Sequence, residues 1–172
     1  MHALSMKKSR WSAREITLTA AMTAVVFLLT FVPKIPIPLG YAHLGDAGIL
    51  VLLCLAGRRE ALIAACAGSM LADLMGGFPL WIGPTLLIKW AMAETFLHIA
   101  NRADPHFLLA PRTLLALTLA CLVMAGGYTA FGVILYDNLA AGLASAPGLL
   151  AEGAVNILAF YGAINPLEKW IK

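Results

Sequence analysis

Residues 68–90 read GSMLADLMGGFPLWIGPTLLIKW: one apolar run carrying Asp73, then Gly76, Gly77 and Pro79, then a second apolar run carrying Lys89. Two glycines and a proline punctuate a chain that is otherwise helix-forming, so this stretch joins one helix near 60–76 to another near 82–100. Both runs approach the roughly 20 largely apolar residues that a spanning helix needs. The whole chain has the same character. Of its 172 residues 61% are hydrophobic and 12% charged, against roughly 45–50% and about 25% in a soluble domain. At a mean hydropathy of +0.86 there is too little charged surface to cover a water-soluble globule of 18.3 kDa, and disorder is excluded on the same ground. Soluble enzymes and nucleic-acid binders are ruled out as classes.

Working outward from this stretch, further apolar segments lie near 15–32, 46–57, 112–136 and 148–168. The expected fold is all-α: an integral membrane bundle of six transmembrane helices in one domain, residues 1–172, with cytoplasmic N- and C-termini. The second segment is short, since Ala47 to Gly57 cannot cross alone at about 1.5 Å per residue. It needs extension by the preceding loop or a locally thin region. No segment alternates apolar and polar residues as a membrane β-strand does, and no internal repeat is visible. With six spans, the cytoplasmic segments hold Lys7, Lys8, Arg10, Arg14, Arg58, Arg59, Arg102, Arg112, Lys169 and Lys172, ten of the twelve cations. Lys34 falls in an outer loop and Lys89 within a helix, so the positive-inside rule supports this topology. The net charge of +3 is thereby assigned to topology rather than to an anionic partner. The first run is read as a span rather than a cleaved signal, because no small-residue cleavage site precedes Pro33.

Small residues mark packing faces. Ala13, Thr17, Ala20 and Ala24 form a stripe on the first helix where another helix can approach closely, within the chain or on a partner subunit. Ala64, Gly68, Ala72 and Gly76 form another, and Gly126 and Gly127 stand beside Tyr128; both are read as internal packing. Cys54, Cys66 and Cys121 lie in apolar runs without metal-ligand spacing and are read as core residues. The first outer loop, Phe31 to Leu44, has Pro33, Pro36 and Pro38 before Gly40, Tyr41 and His43. Three prolines in six residues forbid a helix, leaving a lid over a cavity or a plain interfacial connection.

Ionisable residues within the spans are Asp46, Asp73, Lys89, Glu94 and Glu152. Each costs about 2.5–3.5 kcal/mol at a helix centre and so faces a cavity or a partner. Asp46 stands where a carboxylate caps a helix N-terminus. Glu94 is expected to pair with the cytoplasmic half of another helix. Counted from the outer ends, Lys89, Tyr128 and Asn156 share one depth, Glu152 lies one turn above Asn156, and Asp73, Trp81 and Tyr136 lie nearer the mouth. Such a layer suits a pocket for a small, flat, polar molecule, or a set of interhelical hydrogen bonds. An unpaired Lys89 ammonium is too costly at this depth, so it should be held by a carboxylate, Asp73 first and Asp46 next.

Motifs for chemistry are missing. The sequence has no GxxxxGK[ST], HExxH or GxSxG, and His2, His43, His98 and His106 lie on separate segments. No catalytic residue, metal ligand or cofactor is therefore assigned. A solute-binding subunit that takes its energy from partners and a ligand-free assembly subunit both fit; a membrane enzyme lacks a nucleophile.

The text HLGDAGILVLLCLAG at 43–57 and GSMLADLMGGFPLWIGPTLLIKW at 68–90 resembles the substrate-binding S components of energy-coupling factor (ECF) vitamin transporters, particularly those with riboflavin-, hydroxymethylpyrimidine- or pyridoxine-type substrates. The resemblance runs from Tyr41 to Trp90, about a third of the chain, with GGFPLW standing where a GGY-type segment is more usual. It implies a six-helix subunit in the cell membrane whose outward cavity is covered by the loop after the first helix. It also implies a first helix that meets the transmembrane T component through AxxxA, here Ala20 and Ala24, and a complex completed by two ATPase subunits. The whole S component would topple in the bilayer during uptake. Gly45 and Asp46 match the family's GD pair, Asp73 its helix-three aspartate and Lys89 the lysine of TLLIK.

Overall fold

The computed structural model describes residues 11–104 and 106–170, the side chains of residues 168–170 excepted. His2, Lys7, Lys8, Arg10, Lys172 and the Lys169 side chain, named above, therefore lie outside the described residues. Six helices form: α1 (Ala13–Phe31), α2 (Gly45–Leu55), α3 (Arg58–Gly76), α4 (Ile82–Ile99), α5 (Pro111–Tyr136) and α6 (Leu139–Ile164). Short 3₁₀ turns at Pro79–Trp81 and Asn165–Trp170 precede α4 and follow α6. By length and composition, α1, α5 and α6 are apolar and long enough to cross a membrane.

Local chemistry explains the boundaries. Ser12 and Glu15 form a reciprocal capping box at the start of α1. Gly77, at φ +84°, closes α3 in the left-handed region that glycine adopts without strain. Pro111 sits in the first turn of α5, where its missing N–H costs nothing.

Helix α6 corrects the expectation of a start near 148: it begins at Leu139 and runs through Pro147. Asn138 caps it, accepting the Ala141 N–H at 3.0 Å, so only Asp137 and Asn138 separate α5 from α6. Close packing on α5 holds the added turns. A Cβ on Gly142 would lie 2.7 Å from the Val133 amide nitrogen, so only glycine permits that approach. Proline inside a helix forfeits one backbone bond, a cost that neighbouring helices and serine side chains can meet in a membrane protein. Ser145 donates to the Gly142 carbonyl at 2.7 Å, one residue before the Leu143 carbonyl that Pro147 leaves without its helical donor.

The first loop holds the only strands among the described residues. Ile35–Ile37 (β1) and Gly40–Ala42 (β2) pair antiparallel, with Pro36 opposite Tyr41. Pro38 and Leu39 make the turn, and Leu39 takes φ 65°, a left-handed conformation that costs a non-glycine residue about 1–3 kcal/mol.

Helix α2 is the centre of the bundle. It has 11 residues, eight of them buried, and it packs against α1, α3, α4 and α6. It is too short to cross a membrane by itself. Around it α1, α3, α4, α5 and α6 pack in that order, each on the next. Helix α1 buries Thr19, Met22, Val26 and Thr30, with Val26 against Gly68 of α3 and Thr30 against Gly45 of α2; a Cβ on Gly68 would lie 2.8 Å from the Thr23 carbonyl. Ala64 and Ala72 are fully buried, so the α3 stripe is internal packing as read, and Gly127 likewise abuts Ile88, whereas Gly126 touches nothing. Ala13, Thr17, Ala20 and Ala24 are exposed on the opposite face of α1. Among the described residues nothing covers that stripe.

The two ends of the bundle differ. At one end Arg102 donates to the Leu53 carbonyl at 2.8 Å, Arg112 to the Ile99 carbonyl, and Arg58 to Glu94 at 2.5 Å. Glu94 thus finds the interhelical partner expected of it. Arg59 stacks on Trp11 at 3.9 Å, bringing the starts of α1 and α3 to the same end. The hairpin lies at the other end.

Candidate functional site

Beneath the hairpin is a cavity of about 50 Å³, room for a few waters at about 10–15 Å³ each. The hairpin roofs it with Ile37, Pro38, Leu39, Gly40 and Tyr41. Asp73 from the end of α3 and Phe78 and Trp81 from the α3–α4 connection form one wall; Tyr128 of α5 and Ser145, Leu149 and Glu152 of α6 form the other. Aromatic rings line the space in contact with one another. Ring centroids are 5.5 Å apart for Trp81 and Tyr128 and 5.5 Å for Tyr41 and Phe78. Polar atoms are buried there without a protein partner among the described residues: Tyr41 Oη, Trp81 Nε1 and Asp73 Oδ2. Buried polar atoms are nearly always satisfied; Asp46 Oδ2, Ser69 Oγ and Glu94 Oε2 are also unmet elsewhere, but three such atoms around one cavity make it the candidate site.

Below the cavity the charges are spent. Lys89 is wholly buried and its ammonium pairs with Asp46, itself 0% exposed. This corrects the expectation that Asp73 is the first partner. The two carboxylates lie at similar depth, but Asp46 heads the central helix and meets α4 directly, whereas Asp73 lies at the far end of α3 beside the cavity. Tyr128 covers the pair, its ring centroid 5.1 Å from Lys89 Nζ, and its hydroxyl shares a 3.1 Å hydrogen bond with Thr85.

Asn156 anchors the hairpin's return strand to α2. Its Oδ1 accepts the Ala47 N–H at 2.7 Å, and its Nδ2 donates to the His43 carbonyl at 2.8 Å and the Glu152 carbonyl at 2.9 Å. Glu152 Oε1 accepts the His43 N–H at 3.2 Å and lies 3.1 Å from His43 Nδ1. Nδ1 also accepts the Gly45 N–H at 3.2 Å. His43 Nδ1 and Glu152 Oε1 are thus matched to each other. Burial pulls the His43 ring down to about 4, and the Lys89 ammonium adds to the effect. Burial, reinforced by the Asp73 charge, pushes the Tyr41 hydroxyl up to about 12.

Of the eight residues read from the sequence as a site, Asp73, Trp81, Tyr128 and Glu152 line the cavity. Asp46, Lys89 and Asn156 are fully buried beneath it. Tyr136 is 43% exposed and reaches the site through Trp81, centroids 6.4 Å apart. The roof residues and His43, Phe78, Ser145 and Leu149, which also line it, were not among the eight. The signal for the roof lay in the proline-rich loop itself.

A helical membrane protein with a roofed aromatic and polar cavity at one end has the build of a solute-binding subunit. The family model for the ECF-type riboflavin transporter S component matches residues 10–169, and the chain belongs to that family. It is a substrate-binding, multi-pass protein of the cell membrane. No curated protein matches the sequence.

Proposed function

We propose that the chain captures a vitamin or vitamin precursor in the cavity under the hairpin, at the outer face, for ATP-driven uptake by a T component and two ATPase subunits. The observation that carries this reading is the set of unmet polar atoms, Tyr41 Oη, Trp81 Nε1 and Asp73 Oδ2, around one aromatic cavity. Asp73, Trp81, Tyr128 and Glu152 touch the ligand; Asp46, Lys89 and Asn156 hold the floor on which it rests, and Tyr136 backs Trp81. Arg58, Arg59, Arg102 and Arg112 at the end opposite the hairpin support six spans with that end and both termini in the cytoplasm. The family's name carries riboflavin, which heads the candidates. The exposed Ala20 and Ala24 dock the T component, since small side chains let helix backbones approach.

A cavity of this size admits a vitamin only when the hairpin lifts, so binding requires loop motion. The test is mass spectrometry of small molecules retained by protein purified from cells, followed by thermal shift with the vitamin found. A ligand at 100 times its dissociation constant adds about 2.7 kcal/mol of stability. Retention of a vitamin supports the reading; silence with every vitamin of a broad panel favours a ligand-free assembly subunit.

A further inference from the structure

The cavity has a sign. Lys89, the buried cation closest to it, is consumed by Asp46, and neither residue lines the cavity. His43 and Glu152 face each other at 3.1 Å. Lys34, the outer-loop cation, stacks over the Phe31 and Tyr41 rings at 3.9 and 4.6 Å; its ammonium lies beside Gly76 and its charge reaches Asp73, but among the described residues it forms no salt bridge. Asp73 is left as the lining carboxylate without an ion-pair partner among the described residues, with Oδ2 buried and unbonded. Facing it are Trp81, 6% exposed with an unmet N–H, and the rings of Tyr41, Phe78 and Tyr128. A carboxylate surrounded by aromatic faces attracts a cation twice, through the charge and through the ring quadrupoles.

We infer that the ligand is a flat nitrogen heteroaromatic bearing a protonated amine, its ammonium on Asp73, its ring between the aromatic walls, and a ring nitrogen or oxygen accepting from Trp81 Nε1. The inference rests on the transport reading and replaces its first candidate: riboflavin, which has no basic amine, gives way to an aminated heteroaromatic, and anionic vitamins are rejected by Asp73. Lys89, already neutralised by Asp46, offers no free charge to an anionic ligand.

Three probes of one ring and nearly one size separate the possibilities: 3-(aminomethyl)pyridine, 3-pyridinemethanol and pyridine-3-carboxylate, titrated by calorimetry into the full-length purified chain. The amine is expected to bind at least tenfold more tightly than the alcohol and the carboxylate weakest. Asp73→Asn, nearly isosteric, should bring the amine and alcohol to within about threefold. Should that variant fail to fold, raising the pH until the amine is neutral makes the same comparison in the wild type. The facing groups at that pH are His43, Glu152, Lys34, Lys89, Tyr128 and Tyr41, and the Tyr41 hydroxyl stays protonated to about 12. Equal or tighter binding of the carboxylate overturns the inference, as does an amine preference that survives both manipulations. Failure of all three probes while riboflavin binds also overturns it but leaves the transport reading standing. Failure of the probes and of every vitamin tried removes both.

Discussion

The two ends of the bundle treat polar groups in opposite ways. At the arginine end, long cationic side chains reach back to finish helices: Arg102 accepts the burden of the α2 carbonyls, Arg112 that of α4, and Arg58 meets Glu94. Phe96 and Phe160 close the interior there, both fully buried with centroids 6.2 Å apart. At the hairpin end, Tyr41, Trp81 and Asp73 keep polar atoms unspent around a cavity. A helix terminus and a ligand make the same electrostatic demand. At the arginine end side chains of the bundle meet it, with Glu94 Oε2 left over, whereas at the hairpin end three unmet atoms gather around one cavity.

The largest way to break this contrast is at its boundary, the Asp46–Lys89 pair. Lys89→Met leaves a buried carboxylate alone, and the thermal unfolding of the purified protein should show a loss of about 3–5 kcal/mol. Adding Asp46→Asn should restore most of it. A stable Lys89→Met protein would mean that the pair is not the floor of the cavity.

Arg102→Ala tests the arginine end by removing bonds to the Leu53 and Ala56 carbonyls. A loss of about 1.5–3 kcal/mol is expected for a hydrogen bond to a charged group, with ligand affinity unchanged. Calorimetry showing weakened binding would contradict the separation of the two ends.

At the hairpin end, acidification should weaken loop closure. His43 is held neutral, its pKa about 4 against an ordinary 6.5, so closure is fully favoured above pH 6.5 and loses stability as the pH falls toward 4. The loss is at most about 1.4 kcal/mol per pH unit. Hydrogen exchange at the β1–β2 amides should rise over that window, and His43→Gln should flatten the response. A slope of opposite sign would place the proton on the ring instead.

Smaller still is Leu39→Gly, which releases left-handed strain of about 1 kcal/mol while uncovering the cavity. Stopped-flow binding should show faster ligand exchange. The smallest effect on the isolated chain belongs to Ala20→Leu and Ala24→Leu: no change in stability or ligand binding, but loss of T-component association in a pull-down. Normal assembly and transport would leave that stripe facing lipid.

The helices were legible because apolar runs and glycine or proline breaks are local signals. Pro147 misled because a local rule met a non-local remedy, the close α5 contact that only Gly142 allows. The hairpin was hidden for a related reason: prolines exclude helix in the loop, but pairing of Ile35 with Ala42 depends on a turn that puts a leucine where glycine is usual. Depth along a helix is countable from sequence, and it brought Lys89, Tyr128 and Asn156 into one neighbourhood. Azimuth between helices is not, so the choice between Asp46 and Asp73 required the packed bundle. Four cavity residues were legible as polar or aromatic groups near one mouth. The aliphatic roof was not, since Ile37 and Leu39 gain meaning only when the hairpin folds over.

Helix α2, about 16 Å long at the usual rise, is clamped at both tips. Asp46 and the Ala47 amide hold its first turn to α4 and α6, and Arg102 holds its last carbonyls. Sliding it along its axis would rupture charge-assisted contacts at both tips together. It is therefore the stator of the machine, and the degrees of freedom left for admitting a solute belong to the hairpin, tethered on one side by Val32–Lys34 and on the other by His43. Whatever tilts in the bilayer must carry α2, Lys89 and Asn156 as one body, so the cavity floor travels with its cargo instead of reshaping around it.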